Sequence, residues 1–371
     1  MKTKIIILLL IGIFLTSCKY ETSTQDIEVV TEAPLGTLTP TKTLLSTATP
    51  LPPTATPTPF LPAGLPLIDP ENIASLQRIA EIPVKEIYQL TVSPAGNYVA
   101  TLSTRWDDRS RYMEVWNLNT GTQVYQQEKM DIPSRLFFLP DETMLVVLFP
   151  YDEPQVRIYD LTRGEIVRTL DTAFDAGALS PDGKLFAASS HSKTDGAVSS
   201  TITLYDFATG KKISALNSVG QVVVLNFSPD GQLLVAGLRI NLNSRDKIWK
   251  IASLELVSEM VNYSFPIFTL DSSLAASSKN GTVFLFDPKG WVSSGAFGNI
   301  NAYANIRPQS FSKDGRILIG SDTYRALFWD VEKGEEIFAP PDYGFGFFSP
   351  TGKIVFTWCT QCNLTIWGVS P

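Results

Sequence analysis

Histidine is almost absent from this chain of 371 residues, and its scarcity removes several kinds of site chemistry. The one histidine, His191, begins a Ser-, Lys-, Asp- and Gly-containing segment, where we expect a solvated surface residue. A Ser–His–Asp triad would have to be built on this residue, and a site of several histidine metal ligands is impossible. We therefore expect no catalytic site, no bound metal and no cofactor, and we interpret the chain as a non-enzyme.

Cysteine is also scarce, with three residues in the whole chain, which excludes a zinc site of four sulfurs. Cys359 and Cys362 form a Cys-x-x-Cys pair between two apolar segments, residues 354–357 and 364–367. If the pair flanks a hairpin turn, its sulfurs come within reach of each other. A structural disulfide is the favoured interpretation, and free thiols or a redox or metal pair are the alternatives.

Runs of basic residues are missing, and the formal net charge is −7. An acidic chain without a basic stripe binds a phosphate backbone poorly, so we expect no nucleic-acid partner. The same charge repels anionic lipid, so attachment to a membrane needs another means. Neither a calcium loop of alternating Asp nor a Gly-rich phosphate loop occurs in the sequence.

No apolar run near the N-terminus is long enough to cross a bilayer. Lys2 and Lys4 precede an apolar stretch of eleven residues, 5–15, whereas a spanning helix needs roughly 20. The pattern predicts a cleavable signal peptide over residues 1–17. Residues 15–18, Leu-Thr-Ser-Cys, resemble the lipobox of bacterial lipoproteins, and an ordinary secretory signal is the alternative.

The lipobox resemblance implies that Cys18 becomes the first residue and carries the diacylglycerol and palmitate anchor. The residue after Cys18 is Lys19 and not Asp. In a bacterium with two membranes this implies the outer membrane, and with one membrane the outer face of the plasma membrane. We therefore expect an extracytoplasmic, lipid-anchored protein.

Residues 18–66 are predicted to be a disordered linker. Ten Thr and seven Pro lie between residues 31 and 60, without any apolar period that could bury a core. Proline favours extended polyproline-II geometry, so we expect a spacer between the anchor and a globular part.

Residues 67–371 contain a repeated tight-turn sequence in which Pro, Asp and Gly suit successive positions of a hairpin turn. The seven copies are Ser93-Pro94-Ala95-Gly96, Leu139-Pro140-Asp141-Glu142, Ser180-Pro181-Asp182-Gly183, Ser228-Pro229-Asp230-Gly231, Leu270-Asp271-Ser272-Ser273, Ser312-Lys313-Asp314-Gly315 and Ser349-Pro350-Thr351-Gly352. The second and fifth copies depart furthest from the pattern.

An aromatic residue recurs seven times in a later strand of the same unit, at spacings of 37 to 46 residues. These are Trp116, Tyr159, Tyr205, Trp249, Phe286, Trp329 and Trp367. In four copies an aspartate follows, and a turn ending in Gly usually comes next, as at Thr209-Gly210. Repeats of this length indicate an array of supersecondary units rather than separate motifs.

These turns and aromatic–Asp strands resemble the bacterial WD-repeat (WD40) β-propeller family. The resemblance implies an all-β, seven-bladed β-propeller of four-stranded antiparallel blades around a channel. No blade carries the Gly-His dipeptide, and Asn117, Lys250 and Gly368 replace the acid. The last repeat ends at Pro371 without a fourth strand, and residues 77–82 alternate like a strand after a short helix over residues 70–76. We therefore predict that this N-terminal strand closes the seventh blade.

The remaining connections vary in length and should form one rim of the ring, where function on a rigid scaffold usually lies. They are residues 103–111, 151–154, 190–200, 240–245 and 293–305. Aromatic and Arg side chains are favoured anchors of binding surfaces. The candidate partner-binding residues are Arg105, Trp106, Arg109, Arg111, Tyr151, Tyr263, Tyr303, Tyr324 and Tyr343. We expect a monomer that binds an unknown protein; a carbohydrate or cell-wall ligand, and less favourably a propeller enzyme, are the alternatives.

Overall fold

The computed structural model describes residues 59–105, 109–151, 154–240, 243–298, 306–322, 325–340 and 344–371. This part of the chain is all-β, with 28 strands in seven four-stranded antiparallel sheets and one short 3₁₀ turn, Ile73–Ser75. Among these residues no helix has the length and apolar character needed to cross a membrane. Cys18, the signal segment and most of the predicted linker lie outside the described residues.

Each sheet is one blade, and its strands follow the chain from the channel outward, except in blade 7. Blade 1 consists of β2 (Ile87–Val92), β3 (Tyr98–Thr104), β4 (Arg111–Asn117) and β5 (Thr122–Gln127); blade 2 of β6 (Arg135–Phe138), β7 (Met144–Phe149), β8 (Gln155–Asp160) and β9 (Glu165–Asp171); blade 3 of β10 (Ala176–Leu179), β11 (Leu185–Thr194), β12 (Ala197–Asp206) and β13 (Lys212–Val219); blade 4 of β14 (Gln221–Phe227), β15 (Leu233–Ile240), β16 (Asn243–Lys250) and β17 (Leu256–Val261). Blade 5 consists of β18 (Ile267–Phe268), β19 (Ala275–Lys279), β20 (Thr282–Asp287) and β21 (Val292–Phe297); blade 6 of β22 (Arg307–Phe311), β23 (Ile317–Ser321), β24 (Ala326–Asp330) and β25 (Glu335–Phe338); blade 7 of β26 (Phe345–Phe348), β27 (Val355–Trp358), β28 (Leu364–Val369) and β1 (Leu76–Ile82).

The first strands of neighbouring blades contact one another, as β2 does with β6 and β22 with β26, which places them around the channel. Because the strands in a blade are antiparallel, connections from second to third strand and from blade to blade share one side, here called the loop rim. The turns from first to second and from third to fourth strand share the other side, here called the turn rim. The seven-bladed fold predicted from the repeats is confirmed.

Strand β1 closes the ring, as predicted from its alternating pattern. It pairs antiparallel with β28, from Leu76 opposite Val369 to Ile82 opposite Leu364. Ile82 is buried at 1% exposure in a cluster that joins blades 1 and 7. The short helix expected over residues 70–76 is a single 3₁₀ turn of three residues.

The recurring aromatic residues lie on the third strand of every blade and pack between blades. Trp329 is 1% exposed, and Tyr159 is fully buried. In blades 1 to 6 the pairing of the third and fourth strands shifts register immediately before the aromatic residue, as between Ile158 and Tyr159. The extra residue lies on the fourth strand, as Val167 does in blade 2, so the same bulge recurs beside the aromatic residue in each of these blades.

The Ser-Pro-Asp-Gly turns are held by their own side chains. The Ser180 hydroxyl donates to Asp182 at 2.7 Å and accepts from the Leu185 N–H at 2.8 Å, and the same two bonds recur at Ser228 and Ser312. Asp160 likewise accepts from the N–H groups of Thr162 and Arg163 in the turn between third and fourth strands.

The fifth turn corrects the predicted alignment by one residue. Thr269, not Leu270, takes the place of Ser: its hydroxyl donates to Asp271 at 2.6 Å and accepts from the Leu274 N–H at 3.1 Å. Ser272 therefore occupies the glycine position, with φ 56°. The prediction was wrong because only the side-chain bonds, and not the residue names, identify the first turn position.

Two of the connections predicted as loops are strands. Residues 190–200 form the ends of β11 and β12, which pair from His191 opposite Ser200 to Thr194 opposite Ala197 around a two-residue turn. In blade 4, β15 and β16 likewise pair as far as Ile240 opposite Asn243. Both hairpins extend beyond the blade at the loop rim. Polar side chains are compatible there with strand pairing as well as with a loop, because antiparallel strands can face water.

The chain that precedes β1 packs on the turn rim. The Phe60 N–H donates to the Asn119 carbonyl at 3.4 Å, and the Phe60 ring covers Gly121, where an added Cβ would lie 2.3 Å from a ring carbon. Ile68 then donates to the Gly352 carbonyl at 2.9 Å in blade 7. Residues 59–66, which the sequence assigns to the linker, thus contact the ring.

Candidate binding site on the loop rim

A cavity of about 690 Å³ lies on the loop rim where blade 7 meets blade 1. It is here called the aromatic cavity. Its lining residues come from β2 and β26, from the ends of β3 and β27, from the start of β4 and from the connections next to these strands. They are Glu86, Ile87, Tyr88, Thr104, Arg109, Arg111, Phe345, Trp358 and Thr360. The closure of the ring brings these distant parts of the sequence together.

Two aromatic rings form one wall of the aromatic cavity. Phe345 and Trp358 stack at a centroid distance of 5.6 Å and an interplanar angle of 19°. Phe345 is 43% exposed although it begins an inner strand, where a hydrophobic side chain is normally covered. An exposed aromatic stack is a surface that a ligand can cover with a gain of hydrophobic free energy.

Tyr88 adds a third ring and a fixed hydroxyl. Its hydroxyl donates to the Pro133 carbonyl at 3.1 Å. Burial raises the pKa of Tyr88 to about 12, against an opposing effect of the Arg111 guanidinium, so the phenol is neutral at physiological pH. The cavity charge then comes from Arg109 and Arg111 together with Glu86. Neither arginine forms a salt bridge within the described residues.

Two residues of this lining adopt left-handed backbone conformations that side chains other than Gly disfavour. Glu86 has φ 56° and Arg109 has φ 57°. The Glu86 N–H donates to the Thr360 carbonyl at 3.2 Å, and the Glu86 carbonyl accepts from the Thr104 N–H at 3.3 Å. Each such conformation costs about 1–2 kcal/mol, and strain of this kind concentrates at sites where geometry serves binding.

A second cavity of about 560 Å³ adjoins the first across Glu86 and is here called the side cavity. Arg105 and Tyr112 both line the side cavity, and the Arg105 guanidinium lies 4.2 Å from the centre of the Tyr112 ring. Burial raises the pKa of Glu114, opposed by the indole N–H of Trp116, which donates to this carboxyl at 3.2 Å. The side cavity therefore combines a cation, an aromatic face and a carboxyl group that protonates more readily than usual.

A disulfide joins Cys359 and Cys362 in the turn between the two cavities. Thr360 lines the aromatic cavity, and Gln361 lines the side cavity. The crosslink therefore holds the backbone that separates the two cavities.

The structure brings three of the predicted partner-binding residues together: Arg105 at the side cavity, and Arg109 and Arg111 at the aromatic cavity. Tyr151 is 55% exposed on blade 2, apart from both cavities. Tyr263 packs edge-on against Phe284 and Phe286, and the Lys279 ammonium lies 4.8 Å from its ring centre. Trp106, Tyr303, Tyr324 and Tyr343 lie outside the described residues.

The sequence missed Tyr88, Phe345 and Trp358, which make most of the apolar wall. All three lie at the loop-rim ends of strands. From the sequence alone, an aromatic residue in such a strand is expected to be part of the hydrophobic core. Each lies next to a polar connection. Their position at the end of a strand, beside such a connection, could have indicated that they belong to the rim rather than to the core. Within the described residues no cluster of His, Cys, Asp and Glu could hold a metal ion.

The fold and its rim define the class: this is a seven-bladed β-propeller with a cavity-bearing loop rim. Among solved structures, hydrazine synthase of Kuenenia stuttgartiensis is similar, with a TM-score of 0.58 and 16% identity over 74% of this chain and 92% of that one. At that identity the likeness shows the fold alone. No protein-family model matches the sequence, and no curated protein is similar to it.

The similar structure corrects the expectation that this chain is a non-enzyme. Hydrazine synthase is an enzyme, so a propeller of this fold is compatible with catalysis. The expectation relied on the single histidine and the absence of recognised motifs. That reasoning fails because one fold hosts many functions, so a low histidine count and missing motifs do not decide whether a propeller catalyses a reaction.

Proposed function

We propose that this chain is a lipid-anchored, extracytoplasmic β-propeller of the WD-repeat type that acts as a protein-binding scaffold through its loop rim. The observation that carries the proposal is the aromatic cavity, in which the exposed Phe345 ring stacks on the half-buried Trp358 beside Arg109 and Arg111. Aromatic and Arg side chains in a pocket are the groups that dominate protein interfaces.

The anchor is supported by the sequence of residues 1–18, with its short apolar run and lipobox-like end. The position of residues 59–68 on the turn rim is consistent with such an anchor. A tether that leaves the ring from the turn rim leaves the loop rim uncovered for a partner in solution or on a neighbouring surface.

The partner is tested by capture from an envelope extract with the full chain as bait. We compare the wild type with the double variants Phe345→Ala/Trp358→Ala and Arg109→Ala/Arg111→Ala. Ile166→Ala on the outer strand β9, where the side chain is 46% exposed, is the control. A partner retained by the control and lost by at least tenfold with either cavity variant supports the proposal. Equal capture by all variants contradicts it.

The anchor is tested separately by Cys18→Ser in cells fed a labelled fatty acid. We expect label and membrane association with the wild type, and neither with the variant. Label incorporation that survives the substitution contradicts the anchor but leaves the cavity proposal standing.

A carbohydrate ligand is the second candidate, because the flat Phe345–Trp358 stack also suits the apolar face of a sugar ring. A glycan array with the full chain distinguishes the two candidates. Saturable glycan binding that disappears in Phe345→Ala/Trp358→Ala would favour the carbohydrate ligand.

A further inference from the structure

The strands that line the central channel carry arginine and no acidic residue. The seven inner strands are β2, β6, β10, β14, β18, β22 and β26, and none contains Asp or Glu. Arg135 begins β6, and Arg307 begins β22. The chain as a whole has a net charge of −7, so seven inner strands whose only charged residues are arginines run against its composition.

Arg135 reaches across the channel. Its Nη1 donates to the Leu225 carbonyl at 3.0 Å, which joins blade 2 to the inner strand of blade 4. Blade 3 lies between these blades, and its inner strand consists of the small residues Ala176, Gly177 and Ala178 before Leu179. The Arg135 guanidinium therefore passes the small inner strand of blade 3 to contact the inner strand of blade 4.

The charge on Arg135 has no counterion among the described residues. In the part of the chain that the structure describes, its one hydrogen-bond acceptor is the Leu225 carbonyl, although a guanidinium has five N–H donors. Asp131 and Asp175, on the connections before β6 and β10, are engaged by Arg157 at 2.9 Å and by His191 at 2.7 Å. Burial lowers the pKa of Arg135 to about 10, so the group is still charged at neutral pH.

A sequestered charge normally has a partner of opposite sign, because desolvation is costly without one. The N–H groups of Arg135 that have no acceptor are not fully sealed from solvent, and the side chain as a whole is half-buried. A guanidinium presents such groups in a planar fork that matches two oxygens of a carboxylate or phosphate.

We infer that the central channel holds a small oxyanion, a carboxylate or a phosphate, on the Arg135 guanidinium. Arg307 adds a second positive charge at the loop-rim end of the channel. The site is separate from the aromatic cavity, and it does not depend on the protein-binding proposal.

Calorimetric titration of the full chain tests the site, with succinate and inorganic phosphate in separate arms and chloride as the background anion. We expect saturable binding of one or both probes. Arg135→Gln should weaken binding about tenfold or more, the usual effect of losing a hydrogen bond to a charged group. Arg239→Gln removes the same charge from an exposed position at the end of β15 and should leave the affinity unchanged.

Two further variants guard the result against a folding defect. Arg135→Lys keeps the charge but not the fork, and should bind more weakly than the wild type and more tightly than Arg135→Gln. Arg307→Gln should weaken binding less than Arg135→Gln. Binding by succinate alone or phosphate alone identifies which oxyanion the channel takes. No saturable binding of either probe, or equal affinity in wild type and Arg135→Gln, overturns the inference.

Discussion

Asp246 is a carboxyl group placed in the core of blade 4, at 3% exposure. It lies on β16 opposite Gly237 and Met260, and its Oδ2 has no hydrogen-bond partner. Burial raises the pKa of Asp246 to about 8, because desolvation disfavours the ionised form. The carboxyl group is therefore largely neutral at pH 7 in the folded state and ionised in the unfolded state.

This difference makes the stability of the ring depend on pH. Since the folded pKa is above the unfolded one, the contribution of Asp246 is fully present below about pH 4 and is lost as pH rises to about 8. Between pH 5 and pH 7 we expect the wild type to lose about 1.4 kcal/mol of unfolding free energy per pH unit relative to Asp246→Asn. Urea denaturation of both proteins at several pH values measures this slope. Parallel pH profiles would show that Asp246 is ionised in the folded protein.

At the scale of single elements, the irregular turns are informative. Where Gly is missing from the turn, the residue in its place bonds to the preceding blade. Ser272 accepts from the Asp230 N–H at 3.0 Å, and a Glu142 oxygen accepts from the Asn97 amide at 2.7 Å. Both residues have positive φ, 56° and 60°. A hydrogen bond between blades thus offsets part of the backbone strain that glycine would avoid.

We predict opposite contributions from the side chain and the backbone of Ser272. Ser272→Ala loses the bond to blade 4 and keeps the strained conformation, and should cost about 0.5–1.5 kcal/mol of unfolding free energy. Ser272→Gly loses the same bond but relieves the strain, and should be more stable than Ser272→Ala by about 1 kcal/mol. Urea denaturation compares them. If the alanine variant were as stable as the glycine variant, the strain argument would be wrong.

The turn closed by Cys359 and Cys362 supports the two cavities. In the double variant Cys359→Ser/Cys362→Ser we expect the free energy of unfolding to fall by about 2 kcal/mol, because the unfolded chain regains the conformational entropy that the small crosslinked loop had removed. Thermal unfolding with and without reductant measures the effect. Reductant should lower the midpoint of the wild type and leave that of the double variant unchanged, and a shift in both proteins would point to another cause.

The sequence allowed some of these elements to be predicted and not others. Turn residues repeat their chemistry locally, so the turns at Ser180 and Ser228 could be placed from their residues alone. The fifth turn was misaligned because Thr269 replaces Ser and no Pro marks the second position. The hairpin of β11 and β12 was missed because its polar residues resemble a loop until their pairing is seen.

At the scale of the whole molecule, the number of blades followed from repetition, since each unit can bury its faces only against its neighbours. The closing strand could be predicted because the last repeat lacks its fourth strand. The aromatic cavity could only be half predicted. Arg109 lies in the variable connection between β3 and β4, and Arg111 begins β4, whereas Tyr88 and Phe345 are distant in sequence and meet only because blade 7 abuts blade 1.

Ring closure predicts a sharp contrast between two outer-strand residues. Ile82→Ala removes a side chain that is 1% exposed at the junction of the first and last blades, and should cost about 2–5 kcal/mol. Ile166→Ala, on the outer strand of blade 2, should be nearly neutral because its side chain is 46% exposed. Urea denaturation and limited proteolysis of residues 59–82 test this. Similar losses in both variants would show that β1 does not lock the ring.

The packing of residues 59–68 on the turn rim has a mechanical consequence. A pull on the chain before Pro59 acts first on Phe60 over Gly121 and then on the Ile68 bond to Gly352. Only after both contacts break would the force act on β1 and begin to separate it from β28. These two contacts therefore protect the β1–β28 pairing from a force applied to the preceding chain. In a single-molecule stretching experiment the Phe60 contact should break first, the Ile68 hydrogen bond second and the β1–β28 pairing last.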